Sequence, residues 1–224
     1  MSVCFIWGGL LLEDGRFVFE MSRYWGDLRK LIDRRIQQTN NQSPPFTKLE
    51  VGDIMWEIAT GMKFLHSVEI LHRDLKASNV LIRMYGNSSH GKPIFDCSVA
   101  DFECSVGVVG TGFWRAPEIL RALQNANITS DSFTKMADVY SYAMTCYEVL
   151  TGRIPFEDHP RSDYSRVLNG DRPELPDYID PWMRALLVQC WHPDPLKRPT
   201  FESIEDQLDR FHIGPHLSSR NLKA

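Results

Sequence analysis

The sequence has few cysteines, and their number and spacing argue against two kinds of framework. The chain contains Cys4, Cys97, Cys104, Cys146 and Cys190, and no two of these have CxxC spacing. Structural zinc sites usually hold closely spaced cysteine pairs, and disulfide frameworks use an even number of cysteines, so we expect neither. Free thiols are the default in the cytosol and nucleus, and we therefore expect a cytoplasmic protein.

Long apolar runs and a surplus of basic residues are also missing. The apolar run at 3–12 is interrupted by Gly8 and Gly9 and is too short to span a bilayer. It lacks the basic start and the small-residue cleavage site of a signal peptide, so we predict a buried strand there and no membrane partner. The net charge is −4 and the basic residues are scattered, which argues against a nucleic-acid partner.

The composition is that of an ordinary globular domain. The 224 residues are 43% hydrophobic and 24% charged, and a chain of this length buries about 70% of its unfolded surface. Apolar periodicity and turn signals predict two short strand pairs among many helices, an α+β arrangement dominated by helix. The first predicted strand pair joins 3–12 to 16–21, and the second joins 79–83 to 97–100. The predicted helices are 28–38, a long helix ending at 67, 118–124, 138–150, 164–168, 181–190 and 201–211. The connection at 84–96 is predicted to be mobile.

Several polar residues lie where the long helix and the second strand pair meet. Asp74 and Asn79 fall in a tight loop before the third predicted strand, and Asp101 follows the fourth, so strand pairing brings Asp101 beside Asn79. An isolated Asp or Asn in a loop is usually a turn former, and Lys76 alone would be a solvated surface residue. Together, two carboxylates, an amide and an ammonium are the groups that Mg²⁺-dependent phosphoryl transfer requires.

The segment that carries these residues resembles the catalytic loop of protein kinases. Residues 72–79 read HRDLKASN and match every fixed position of the family's H-R-D-L-K-x-x-N motif. The APE at 116–118 matches the end of the family's activation segment, and the DVYSY at 138–142 resembles its D-V-W-S-F helix segment. The run CWHPDPLKRP at 190–199 is similar to the family's C-W-x-x-D-P-x-x-R-P. Four motifs in the family's order form a specific pattern.

The resemblance implies an α+β protein-kinase-like fold, with a mainly helical large lobe and a remnant of the small β lobe. Residues 1–22 would form the remnant and the hinge, 23–213 the large lobe, and 214–224 a flexible tail. Kinases of this family transfer the γ-phosphoryl group of ATP to a protein hydroxyl group with the help of Mg²⁺. ATP, Mg²⁺, a protein substrate and docking partners are therefore the expected ligands.

The resemblance also implies catalytic roles for single residues. Asp74 would be the base that accepts the proton of the substrate hydroxyl, and Lys76 would lie near the transferring phosphoryl group. Thr111 would hydrogen-bond to both of them. Asn79 and Asp101 would hold Mg²⁺, and together with Lys76 they would contact the nucleotide.

The adenine ring would bind between the lobes. The hinge from Glu20 to Ser22 would offer backbone hydrogen bonds to the ring, and Leu81 would pack beneath it. Structural or regulatory roles are implied for His72, Arg73, Phe102, Glu118, Asp138 and Arg198. In this set, Glu118 and Arg198 would form a buried ion pair, and Asp138 would brace the backbone of the catalytic loop. Arg73 would pair with a phosphate on the activation segment.

Two details favour serine and threonine over tyrosine as the acceptor. Tyrosine kinases usually have Ala or Arg in the region where Lys76 stands, and the pattern Gly110-Thr111 before 113–115 is typical of serine/threonine kinases. Together with the run at 190–199, these residues resemble the tyrosine-kinase-like group, which includes the Raf-like kinases.

The sequence departs from the family pattern in three ways. No G-x-G-x-x-G loop, no V-A-I-K strand and no helix with its Glu partner precedes the hinge. Glu103 stands where the family has Gly, which would make the metal-binding segment less mobile unless the side chain simply faces solvent. The activation segment at 101–118 is short, so phosphorylation control would be limited. Besides Thr111, Ser105 is the hydroxyl side chain of this segment that is available for phosphorylation.

Two functions therefore stay open. The complete set of Asp74, Lys76, Asn79 and Asp101 favours an active serine/threonine kinase. The missing phosphate loop favours a truncated or degenerate kinase, a pseudokinase that acts as a non-catalytic binding module. We expect weak nucleotide affinity, and a first strand pair whose exposed edges and apolar face promote aggregation.

Overall fold

The computed structural model describes residues 2–40, 42–87, 93–102, 110–160 and 163–213. Two small sheets lie among helices in these residues, which is the α+β arrangement expected from the sequence. In chain order the elements are β1 (Ile6–Leu11), β2 (Phe17–Met21), β3 (Gly26–Asp27), α1 (Leu28–Gln38), α2 (Lys48–Ser67), β4 (Val80–Asn87), β5 (Pro93–Val99), α3 (Pro117–Gln124), α4 (Lys135–Thr151), α5 (Ser165–Leu168), α6 (Pro181–Cys190) and α7 (Phe201–Ile213).

The core is built around α2 and α4. α2 begins with a capping box, in which Thr47 and Glu50 each bond to the other's backbone N–H. The apolar stripe of α2 is buried, as its periodicity predicts, and the helix packs against α4, α7 and β5. α4 is buried at every position from Ala137 to Thr151, so it runs through the centre of the molecule. The hydroxyl of Tyr142 on α4 donates to the carbonyl of Met55 on α2 at 3.0 Å.

The second sheet has the order β3-β4-β5 and differs from the prediction in two respects. β4 extends to Asn87 and β5 begins at Pro93, so much of the segment predicted to be a mobile connection is paired strand. β3 has two residues, and its pairing with β4 was not predicted because such a short strand has no periodicity to detect. Across the ladder, Val80 pairs with Val99, which sets the positions of the residues before and after these strands.

The N-terminal segment corrects the prediction of a buried strand at 3–12. Val3 is buried and forms a parallel bridge with Val99, so this end of the segment is anchored to β5. Beyond it, β1 and β2 form an antiparallel hairpin in which every strand residue except the partly buried Gly8 is exposed. The apolar character of the run therefore reflects an uncovered sheet, which periodicity cannot distinguish from a buried one. Among the helices that the structure describes, none combines the length and the apolar character needed to cross a membrane.

A partly buried carboxyl group joins α2 to β5. Glu57 accepts a hydrogen bond from the backbone N–H of Cys97 at 2.7 Å. Burial raises the pKa of Glu57 to about 7, and the nearby charges of Asp96 and Asp53 act in the same direction, against the lowering effect of the hydrogen bond. The folded protein therefore holds a proton on Glu57 at a pH where the unfolded chain has lost it.

This raised pKa predicts a stability that decreases as the pH rises. The contribution of Glu57 is fully present below its unfolded pKa of 4.5 and is lost as the pH rises through about 7. A pKa shift of one unit corresponds to about 1.4 kcal/mol. As the pH rises from 4.5 through about 7, the free energy of unfolding of the wild type should therefore fall by about 3 kcal/mol more than that of the Glu57→Gln variant. Urea denaturation across this pH range measures the difference. The exposed control Glu69→Gln should follow the wild type, and parallel curves for wild type and Glu57→Gln would refute the raised pKa.

Candidate active site

A buried carboxylate at the start of α4 holds the loop at 72–79. Asp138 accepts hydrogen bonds from the backbone N–H groups of His72 and Arg73, each at 2.9 Å, and His66 Nε2 lies 2.9 Å from the same carboxylate. Arg73 has a φ of 67°, which is costly for a residue with a side chain. Because bonds to a charged acceptor are strong, Asp138 stabilises this strained turn. The predicted bracing contact is thus present.

The loop presents a compact cluster around Asp74. Thr111 Oγ1 donates to Asp74 Oδ1 at 2.7 Å, and Lys76 Nζ donates to Asp74 Oδ2 at 2.7 Å and to Thr111 Oγ1 at 2.6 Å. Asn79 Nδ2 donates to the Asp74 carbonyl at 2.8 Å and lies 3.3 Å from Oδ2. Asp74 and Lys76 keep about a fifth of their side-chain surface exposed. The carboxylate is therefore oriented by three side chains and still accessible.

Thr111 reaches this cluster because the chain before α3 is anchored on both sides. Gly110 has a φ of +74°, and a Cβ there would lie 2.7 Å from the Arg73 carbonyl oxygen, so the close approach requires glycine. Arg115 donates from Nε and Nη2 to the Gly110 carbonyl at 3.1 and 2.6 Å. Ser141 on α4 donates to the Trp114 carbonyl at 2.8 Å. These contacts place the Thr111 hydroxyl against Asp74.

Glu148 on α4 also positions the site, and the sequence analysis missed it. Its Oε1 accepts from the backbone N–H of Ala77 at 3.1 Å and from Trp114 Nε1 at 2.9 Å, and its Oε2 accepts from Arg29 at 3.2 Å. Burial raises the pKa of Glu148, and these donors oppose that shift. One carboxyl group thus links the loop, the segment before α3 and α1. The sequence signal that could have identified Glu148 is its position as an acidic residue within an otherwise apolar helix.

The two predicted metal ligands lie at the ends of adjacent strands, with Asn79 just before β4 and Asp101 just after β5. The backbone N–H of Ala100 donates to the Asn79 carbonyl at 2.9 Å, and Asp101 is the next residue. Asp101 is exposed and has a φ of 57°, a strained conformation that turns the chain away from β5. Among the described residues, no group of three or more His, Cys, Asp and Glu could hold a metal ion.

The predicted adenine-binding residues lie on β4, on β2 and just after β2. Leu81 is on β4, where it pairs with Asp27 of β3 and Ser98 of β5. Glu20 is near the end of β2 opposite Gly8, and the hydroxyl of Ser22 accepts from the Trp7 indole at 3.3 Å. Among the described residues, no hydrogen bond connects Glu20 or Ser22 to the cluster around Asp74.

The remaining predicted residues have structural contacts. Arg198 donates to both carboxylate oxygens of Glu118, at 2.6 and 2.8 Å, and also to two backbone carbonyls. The predicted ion pair is present, with the Arg198 side chain fully buried and the Glu118 side chain 24% exposed. The Arg73 guanidinium lies over the Phe133 ring at 5.2 Å, and Phe102 packs against the core.

Burial lowers the pKa of His72, so its ring is neutral at pH 7. Glu103 and Ser105, which the sequence analysis singled out, lie outside the described residues, as does the predicted tail at 214–224.

A cavity of about 350 Å³ lies beside the cluster. Lys76 and Thr111 line it together with Arg29, Glu148 and Phe156. Because Lys76 and Thr111 both bond to Asp74, a hydroxyl group that entered this cavity would contact the side chains that orient the carboxylate. The arrangement can accept a proton from a bound hydroxyl and place a positive charge next to it.

Comparisons with known proteins find the same family repeatedly. The family model described as "Protein tyrosine and serine/threonine kinase" matches residues 9–208. A "Light-sensor Protein kinase" from Ceratodon purpureus is 37% identical over 205 residues, covering 82% of this chain and 16% of that protein. A probable serine/threonine-protein kinase from Dictyostelium discoideum is 38% identical over 190 residues, covering 83% of this chain and 13% of that protein.

Another relative from Dictyostelium discoideum, "Probable serine/threonine-protein kinase roco7", is 31% identical over 229 residues. The match covers 95% of this chain and 8% of that protein. The chain therefore spans less than a fifth of the length of these three relatives.

The buried ion pair predicts a large loss of stability when one partner is neutralised. Glu118→Gln leaves the Arg198 charge buried without its carboxylate, so the free energy of unfolding should fall by about 3 kcal/mol. The matched control is Glu157→Gln, which breaks the exposed Arg153 pair and should change stability by less than about 0.5 kcal/mol. Urea denaturation measures both. If both substitutions lowered the free energy of unfolding by the same small amount, the contact of Glu118 with Arg198 would contribute little to stability.

Proposed function

Because the chain belongs to the protein tyrosine and serine/threonine kinase family, we propose that it is an active serine/threonine protein kinase. It transfers the γ-phosphoryl group of ATP to a hydroxyl group of a protein substrate. The observation that carries this proposal is the cluster in which Thr111 and Lys76 orient the carboxylate of Asp74.

In this proposal Asp74 accepts the proton of the substrate hydroxyl. Its Oδ1 accepts a hydrogen bond from Thr111 and its Oδ2 accepts from Lys76 and Asn79, so the carboxylate cannot rotate freely. About a fifth of the Asp74 side chain remains exposed. A carboxylate that is fixed and accessible can take a proton as the hydroxyl oxygen attacks phosphorus.

Lys76 supplies the positive charge in this proposal. Its ammonium group already bridges Asp74 and Thr111, which holds it at the edge of the cavity. There it stabilises negative charge on the transferring phosphoryl group. A lysine fixed at this position also supports a serine or threonine acceptor, in agreement with the names of two of the relatives.

Mg²⁺, when bound with ATP, neutralises the charge of the phosphate oxygens. The donor set fits this ion because Asn79 and Asp101 offer hard oxygen atoms. Asn79 commits its amide nitrogen to Asp74, so the amide oxygen is the atom that faces a cation. Leu81, on the same ladder, supports the adenine ring, and the backbone from Glu20 to Ser22 binds its edge.

Protein substrates, further partners and a cytoplasmic location belong to the proposal as well. The ion pair between Glu118 and Arg198 supports a protein substrate, since it fixes the start of α3 directly after the segment that carries Thr111.

Substitution of the proposed base should abolish activity without unfolding the protein. Asp74→Asn removes the proton acceptor, and the turnover number should fall by about 100-fold to 10,000-fold. Transfer of labelled phosphate from ATP to a generic protein substrate measures this, with circular dichroism to confirm the fold. The matched control Asp177→Asn changes an exposed acid far from the cluster and should keep full activity. Equal incorporation by wild type and Asp74→Asn would leave the non-catalytic binding module as the function.

Thr111 allows a sharper test of the same geometry. Thr111→Ser keeps the hydroxyl that donates to Asp74, whereas Thr111→Val keeps the shape and removes the hydrogen bond. We expect the serine variant to retain most of the turnover number and the valine variant to lose most of it, with little change in KM for ATP. Similar turnover numbers for the two variants would contradict the orienting role of the hydroxyl.

A further inference from the structure

The cavity beside the Asp74 cluster, which we call the Phe156 cavity, presents a mainly apolar surface. Its volume is about 350 Å³. Its apolar lining comes from the segment before α3 and the segment after α4, and consists of Phe113, Trp114, Ile154, Pro155 and Phe156. All of the described lining residues lie between 29 and 159, within the residues 9–208 that match the kinase family model. The walls of the cavity are therefore internal parts of the kinase domain.

Two packed aromatic rings hold the wall of the Phe156 cavity in place. Phe113 and Phe156 are both buried, and the centroids of their rings lie 5.0 Å apart. Phe156 has a φ of 55°, a conformation that residues with side chains avoid and that recurs in binding sites and active sites. The packing against Phe113 therefore holds the Phe156 ring at the cavity against a cost in backbone strain.

The basic residues that line the cavity near the catalytic loop are paired within the protein. The Arg29 guanidinium donates to Asp33 and to Glu148. Lys76 donates to Asp74 at 2.7 Å. Each of these cations already faces a carboxylate, so neither adds a net positive charge to the cavity wall.

The charged residues that line the cavity after α4 are paired as well. Glu157 accepts from Arg153 and from the backbone N–H of Ile154, and His159 Nε2 contacts the Arg166 guanidinium. Every charged residue that the structure describes in the lining therefore has a partner of its own. The surface that remains for a ligand consists of apolar side chains and hydroxyl groups.

We propose that the Phe156 cavity binds an apolar side chain of the protein substrate, from a residue within three positions of the acceptor serine or threonine. This inference rests on the proposed function, which places the acceptor hydroxyl at Asp74. Lys76 and Thr111 line the cavity and both bond to Asp74, so the cavity adjoins the acceptor site. An extended chain covers about 10 Å in three residues, so a residue close to the acceptor, and not a distant one, fills the cavity.

The free energy of dehydration selects the class of side chain. Leucine or phenylalanine gains free energy when its apolar surface moves from water onto the apolar wall. Arginine or glutamate loses its hydration there without meeting a free counter-charge, which is unfavourable. A volume of about 350 Å³ is near the lower end of the range for small-ligand pockets, so the cavity suits one large side chain rather than a folded segment.

A scan of peptide substrates tests this preference. The peptides carry one serine in an alanine background, and leucine, arginine or glutamate replaces alanine at single positions from three before to three after the serine. At one of these positions, the leucine peptide should have a kcat/KM about tenfold or more above those of the alanine, arginine and glutamate peptides. The difference should lie in KM, because burial of the side chain stabilises the bound substrate and the transition state alike.

Charge substitutions at Ile154 should change the preference in opposite directions. Ile154 lines the cavity and is 38% exposed, so the fold tolerates a charged side chain there. Ile154→Glu adds a carboxylate to the cavity wall, and the arginine peptide should then have a higher kcat/KM than the leucine peptide. Ile154→Lys should instead favour the glutamate peptide. Circular dichroism confirms that both variants are folded.

A substitution outside the cavity serves as the matched control. Leu196 is 90% exposed and does not belong to the described lining, so Leu196→Glu makes the same change in charge elsewhere on the surface. This variant should keep the wild-type preference for the leucine peptide. A wild type that phosphorylates all the peptides equally or prefers a charged one would overturn the subsite while the kinase proposal stands. An unchanged ranking in both Ile154 variants would do the same.

A binding measurement separates the subsite from catalysis. An alanine peptide with one leucine has no hydroxyl group to phosphorylate, and it is added at millimolar concentration without ATP. It should shift the NMR signals of the Ile154 methyl groups and leave those of Leu196 unchanged, and an alanine peptide with one glutamate should shift neither. These shifts in a protein that phosphorylates no peptide would refute the kinase proposal and keep the apolar site. Phosphorylation of the leucine peptide without these shifts would show that the leucine binds elsewhere, which overturns the subsite.

Discussion

The site depends on the hydrogen bonds that the Asp138 carboxylate accepts from the backbone of His72 and Arg73. The turn places Arg73 in a conformation that residues with side chains avoid, and two bonds to a buried charge offset that cost. Asp138 lies at the start of α4, the most deeply buried helix of the described chain. The loop is therefore hydrogen-bonded to a rigid element. The Asp74 carboxylate then takes its orientation from a fixed backbone.

A second buried carboxyl group extends this support to the opposite side of the cluster. Glu148, three turns further along α4, bonds to the loop at Ala77 and to the side chain of Trp114. The segment that carries Thr111 and the loop that carries Asp74 are therefore both hydrogen-bonded to α4. Positioning both sides of a site from a single rigid element keeps the hydrogen bonds between them within a narrow range of lengths.

The helices, the pairing of β4 with β5 and the loop chemistry could be predicted from the sequence, and the resemblance implied the pair of Glu118 with Arg198, whereas exposure could not be predicted. Periodicity located α2, and the resemblance to protein kinases implied the contact of Thr111 with Asp74. Glu148 was missed because its three donors come from segments distant in the sequence. The β1–β2 hairpin was predicted as strands but wrongly as buried, since an apolar run does not reveal whether anything covers it. The length of β4 was underestimated because its end is polar and contains Gly86.

The central claim is that Asp74, Lys76, Asn79 and Asp101 share one metal–nucleotide site. Mn²⁺ can replace Mg²⁺ as a paramagnetic probe, and its effect on backbone amide signals measures proximity residue by residue. With ATP present, we expect Mn²⁺ to broaden the amide signals of Asn79 and Asp101 most strongly and to leave that of the distant Asp177 sharp. Broadening that spares Asn79 and Asp101, or that is the same without ATP, would contradict the shared site.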